Sequence, residues 1–180
     1  MKTSLLRRFP ESQSILQVYA VIAVMFCGWT ITVFLRKLPS WLLTLNMGEI
    51  FTVFSYAMVV NLVESLIVLL LLLAVCVLLP SRVLRDHFAV RGTIVSAGLI
   101  GATMMALLLL KKFGIAGSGR LWMGLLAVAL LTALLLVFSS RIRFIHSAVL
   151  WISDRLVVFL FILIPLFAIL SVYVIFRNII

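Results

Sequence analysis

The chain is short of nearly everything that a water-soluble protein relies on. Only 11% of its 180 residues are charged, five are acidic, four are proline, and cysteine and histidine occur twice each. Soluble domains carry about a quarter charged residues, so this scarcity excludes an ordinary globule with a solvated surface. Cys27 and Cys76 both fall inside apolar runs and belong to no C-x-x-C pair, which excludes a disulfide framework and assigns them to packing. His87 and His146 each lack a second ligand at metal spacing, so no metal site and no cofactor are expected. The glycine-rich stretch 114–119, between Lys112 and Arg120, lacks the preceding strand and the spacing of a phosphate-cradling loop, and reads as a turn. The longest connections, 80–91 and 111–120, are too short for a soluble domain, and no internal repeat divides the chain.

What the chain has in abundance is hydrocarbon. Hydrophobic residues make up 66% of it, more than a core of this chain length could hide from water. They are grouped in five runs, about 14–35, 50–79, 92–110, 121–139 and 148–176. A crossing needs roughly 20 apolar residues for a ~30 Å hydrocarbon layer. The expected fold class is therefore an all-α polytopic membrane protein, one transmembrane domain over residues 1–180 with about five spans. The first run is longer than a signal h-region and no A-x-A-like site follows it, so it is expected to stay as a span, with Trp29 as an interfacial anchor. The second and fifth runs exceed the layer and must tilt or protrude, and Pro165 offers a bend in the fifth. Between the first two spans, Leu38, Trp41, Leu42 and Leu45 share one helical face, and Pro39 suits a first turn. A short interfacial helix at about 38–47, with Trp41 at headgroup depth, is expected.

The formal net charge is +10, yet no basic domain presents a groove-sized patch, which argues against nucleic acid. The cations stand at the ends of apolar runs, where they suit the positive-inside rule and anionic lipid headgroups. With the N-terminus inside, cytoplasmic segments hold Lys2, Arg7, Arg8, Arg82, Arg85, Arg91, Arg141 and Arg143; the other side holds Arg36, Lys37, Lys111, Lys112, Arg120 and Arg177. The larger first set favours a cytoplasmic N-terminus in a plasma membrane or bacterial inner membrane. Arg82, Arg85, Arg91, Arg141 and Arg143 are the candidates for holding headgroup phosphates, although topology alone would account for them.

Spans in lipid associate by close packing and hydrogen bonds, because burying an apolar side chain there yields no hydrophobic gain. The third run offers small residues four apart: Gly92/Ser96, Ala97/Gly101 and Ala102/Ala106, with Gly98 beside them. Ala129/Ala133 in the fourth run makes a weaker match, and packing between these two spans is favoured over a dimer contact.

Glu64 is the sharpest point, an acid in the middle of the second run with Asn61 one turn before it and Ser65 after it. A carboxylate at mid-membrane costs ~2.5–3.5 kcal/mol on insertion scales and normally faces protein or water. It can serve proton or cation transport, form a hydrogen-bonded clamp with Asn61, or lie nearer an interface if the span begins late. The structural readings are favoured. Asp154 and Arg155 near the start of the fifth run form the second polar pair; Arg155 can neutralise Glu64 across the bundle, but an interfacial anchor is the simpler reading. Three function classes follow. The favoured one is a non-catalytic subunit or scaffold of a larger membrane complex, with protein partners of unspecified identity. The next is a proton- or cation-coupled transporter or channel subunit using Glu64. The third is a lipid-modifying enzyme, whose available acid–base groups (Glu11, Asp86, Asp154, His87 and His146) show no catalytic pattern.

Overall fold

A chain dissolved in hydrocarbon must satisfy its backbone polar groups internally, and each apolar run does so as one continuous helix. A computed structural model describes residues 11–78, 88–113, 118–141 and 143–179. It is all-helical over these residues: α1 Ser12–Trp41, α2 Met47–Leu78, α3 Phe88–Phe113, α4 Ser118–Arg141 and α5 Arg143–Ile179. Four of them, α1, α2, α3 and α5, are long and apolar enough to cross a membrane. In α4 the described apolar stretch is Trp122–Phe138, about 25 Å at 1.5 Å per residue and short of the full layer.

Every helix outruns its apolar stretch, because hydrogen bonding continues past the first polar side chain. α5 is the extreme, with 37 residues. Its uninterrupted apolar part is 156–176, roughly 32 Å long and a match to the hydrocarbon layer. Residues 143–155, which include Arg143, His146, Asp154 and Arg155, extend the helix ahead of that run. Pro165 interrupts neither the helix nor the run, and α5 continues through it.

The expected interfacial helix at 38–47 is corrected. Residues 38–41 continue α1, with turns following to the start of α2. Pro39 lies inside the last turn of α1 rather than opening a new helix. Aromatic contacts carry α1 across it: the Trp41 ring meets Phe34 edge-on at 5.5 Å, Phe34 meets Phe54 of α2 at 5.1 Å, and Lys37 Nζ lies 5.8 Å from the Trp41 ring centre. The start of α2 is then capped by Glu49. The backbone N–H of Asn46 donates to Glu49 Oε2 at 2.8 Å, while Glu49 and Ile50 N–H groups donate to the Asn46 carbonyl.

α1 is the centre of the bundle and packs against α2, α3 and α5. Near its start, Val18 and Ile22 lie under Leu72 and Cys76 of α2 and Phe88 and Ile100 of α3. Further along, Ala20 and Ala23 receive Leu160 of α5, and Cys27 joins Met58, Phe167 and Leu170. These pairings make α1, α3 and α5 parallel and α2 antiparallel to them. Both cysteines are buried and unbridged.

α4 runs back along α3, and the glycines locate the approach. A methyl group at Gly98 would land on the Thr132 side chain, and one at Gly124 would meet Leu109 Cδ1 at 2.7 Å. Gly92 performs the same service against α1, with Val18 Cγ2 at 3.1 Å from the place of a Cβ. Gly101 faces open space. With Ala97, it lines a cavity of about 500 Å³ among α1, α3, α4 and α5, while Ala102 faces Ala129 and Ala133 across a second groove on the other side of α4. Ala106 is half-buried on α3.

Candidate functional site

Buried hydroxyls in this bundle are nearly all spent on their own helix. Ser55, Ser65, Thr93, Ser96 and Ser153 each donate to a carbonyl three or four residues earlier. In lipid this satisfies each O–H within its own helix. Two places depart from that pattern.

The first is at mid-depth. α2 and α3 touch where Leu72 and Phe88 pack on α1, and they part toward the other end of the bundle. The groove between them, about 380 Å³, is floored by Phe26, Trp29 and Thr30 of α1 and walled by Ala57, Val60, Asn61 and Glu64 of α2 and by Ile100, Thr103, Met104 and Leu107 of α3. Asn61 is 4% exposed. Its Oδ1 accepts from Thr30 Oγ1 at 2.9 Å, a bond between α1 and α2, and its Nδ2 reaches Met58 Sδ at 3.9 Å. The clamp expected of Asn61 and Glu64 together thus pairs Asn61 with Thr30 instead. Glu64 is exposed on the outside of the bundle and has no hydrogen-bond or ion-pair partner among the described residues. It stands about 26 Å from Met47 and 21 Å from Leu78 along the axis of α2. Trp29, expected as an interfacial anchor, lies in this groove, about 10 Å down the helix from Arg36.

The second is at the end where α2 begins and α5 finishes, and sequence reasoning did not identify it. Thr52 is buried and donates to the Gly48 carbonyl at 2.7 Å. That leaves its oxygen to accept from the Tyr173 hydroxyl at 3.0 Å and from Arg177 Nη1 at 2.5 Å. Nη1 also donates to the Tyr173 oxygen at 3.3 Å. Beside this triangle, Tyr56 donates its hydroxyl proton to Asn178 Oδ1 at 2.6 Å.

The remaining candidates are dispersed. Asp154 and Arg155 are both exposed on α5, just before its apolar run. The Arg155 guanidinium lies 5.7 Å from the Trp151 ring centre, one turn back on the same helix, and it does not pair with Glu64. Arg91 is half-buried in the first turn of α3. Arg82 and Arg85 lie outside the described residues, as do Asp86 and His87, and Arg141 and Arg143 are described only as helix. Glu11 flanks the start of α1, on a different helix from Asp154. No trio of His, Cys, Asp or Glu is gathered among the described residues. Comparison of the chain with protein-family models, with curated proteins and with solved structures finds no match.

Proposed function

We propose that this protein is a non-catalytic, multi-pass subunit of a larger membrane complex, and that a partner covers the Glu64 groove. The observation that carries this reading is the position of Glu64: central in α2, on the outside of the bundle, and without a partner among the described residues. A carboxyl turned toward acyl chains costs several kcal/mol, and a polar group from a neighbouring subunit offsets that cost. The groove volume suits a large side chain reaching in from beside α2 and α3. In this reading all five helices cross the bilayer with the N-terminus in the cytoplasm, α4 returning the chain between the parallel helices α3 and α5. Cysteines introduced singly at Ser81 and Ser118 should then label from opposite sides.

Purification from native membranes in mild detergent tests the proposal. The wild-type chain should bring a stoichiometric membrane partner with it. Glu64→Leu should lose that partner while eluting as a normal monomer. A wild-type chain that runs alone, or a partner retained unchanged by the variant, overturns the reading.

Cation-coupled transport is the second reading, favoured by the oxygens of Thr30, Asn61 and Thr103 that share the groove with Glu64. Its weakness is that no other acid lines the groove to relay a proton. Under it, Glu64→Gln should abolish proton- or cation-dependent flux in proteoliposomes, and unchanged flux eliminates it.

A further inference from the structure

At the end of α5 the fold holds one cation in place, with no acid bonded to it among the described residues. Arg177 follows directly on the apolar run 156–176, which sets its guanidinium at headgroup depth. Nη1 donates to Thr52 Oγ1 at 2.5 Å and to the Tyr173 oxygen at 3.3 Å, and both acceptors are uncharged oxygens. The Tyr56–Asn178 bond ties α2 to α5 a second time beside them. Nε and Nη2 have no partner among the described residues. Glu49, one turn before Thr52 on α2, has Oε2 committed to the Asn46 N–H, and Lys37 is drawn to the Trp41 ring. Arg177 therefore presents an oriented, unspent fork, with its third nitrogen fixed from behind.

That fork is the side-on edge of the guanidinium, whose N–H groups match two oxygens of one phosphate. A helix terminus that merely wanted a cation would be served by a mobile lysine, or by an arginine turned onto its own last carbonyls. Here the side chain crosses to the neighbouring helix and is hydrogen-bonded there.

We propose that Arg177, backed by Thr52 and Tyr173, is a binding site for a phosphate ester, set at the depth of phospholipid phosphates. It is separate from the Glu64 groove, and it stands whether or not a partner subunit exists. Arginine supplies charge and bidentate geometry, the two hydroxyls fix the orientation, and the aromatic rings of Tyr56 and Tyr173 suit the interfacial layer.

Native mass spectrometry of the purified full chain provides the test, with phosphatidylglycerol, phosphatidylethanolamine or the phosphate-free diacylglycerol added. The wild type should retain the two phospholipids and lose diacylglycerol. Arg177→Gln should lower phospholipid retention about tenfold, the weight of one charge-assisted bidentate contact. Arg177→Lys should fall between them, since it keeps the charge and loses the fork. Thr52→Val should weaken retention with Arg177 still present, because Nη1 loses its anchor. Displacement of the bound phospholipid by millimolar inorganic phosphate would identify a soluble phosphate ester as the natural occupant; resistance would identify the lipid. Equal retention of diacylglycerol, or wild-type retention by Arg177→Gln, overturns the proposal.

Discussion

On the side of α1 that faces α5, Ala20, Ala23 and Cys27 lie under Leu160, Phe167 and Leu170, with both alanines fully buried. On the side that faces the gap between α2 and α3, Phe26, Trp29 and Thr30 floor an open groove. The polar groups divide in the same way. Thr52, Tyr173 and Arg177 are bonded to one another between α2 and α5, whereas Glu64, on the groove side of the same α2, has no such partner among the described residues. Apolar surface drives neither arrangement, because lipid is as apolar as the side chains. What separates the two sides is whether small residues let the backbones approach and whether each polar atom finds a bond inside the bundle. The contacts of α1 with α5 are closed within one chain, whereas the groove between α2 and α3 is open and leaves Glu64 without a bonded partner among the described residues.

The contrast breaks most visibly under enlargement. Ala23→Leu pushes four-carbon bulk into a closed contact with Leu160 and should cost about 1–3 kcal/mol or more, read as a lowered unfolding midpoint in detergent. The same substitution at Ala57 enters the open groove and should change the midpoint by less than ~0.5 kcal/mol. Equal losses at the two positions would mean that the groove is closed. Next in size is Thr52→Val, which preserves shape and removes the oxygen shared by Tyr173 and Arg177; a loss of roughly 1–2 kcal/mol is expected. Asn61→Leu comes third. It removes the Thr30 bond between α1 and α2, for which interhelical hydrogen bonds in membranes set a scale of about 0.6 kcal/mol.

How much of this was legible in the sequence follows from the range of each interaction. The helices are legible because hydrocarbon permits little else for a long apolar run, and each extends past the apolar run that marks it: α5 begins at Arg143, ahead of the run at 148–176, since its first turns hydrogen-bond outside the apolar stretch. The 38–47 segment showed the right helical spacing and the wrong connectivity. Pro39 suits a helix start, but the Phe34–Trp41 contact joins those residues to α1. Asn46 and Glu49, three apart ahead of an apolar run, carry a capping signal for the start of α2. Gly98 was visible as a smooth position, while Thr132 as its neighbour was not. The Thr52–Tyr173–Arg177 triangle joins residues more than 120 positions apart, and no local pattern announces it. Glu64 stood out by its charge alone. That Asn61 would turn away from it, toward Thr30, is a matter of helix rotation that composition does not encode.

The smallest expected effect on stability is also the sharpest on function. Glu64→Gln keeps the side chain's size and its capacity for hydrogen bonding and removes only the ability to carry charge. Because no described residue bonds Glu64, the isolated chain should lose nothing measurable, within about ±0.5 kcal/mol in the same unfolding assay. A clear loss would mean that the carboxyl has an internal partner after all and that the two sides of α1 are alike. A clear gain is the informative alternative, since it would show that the acid strains the isolated chain and is retained for what it meets outside it. Paired with the association assay, the same variant separates two roles for the partner. If it meets the carboxylate with a cation, the amide should weaken assembly strongly; if it offers only a hydrogen-bond donor, the amide oxygen still accepts and assembly should survive.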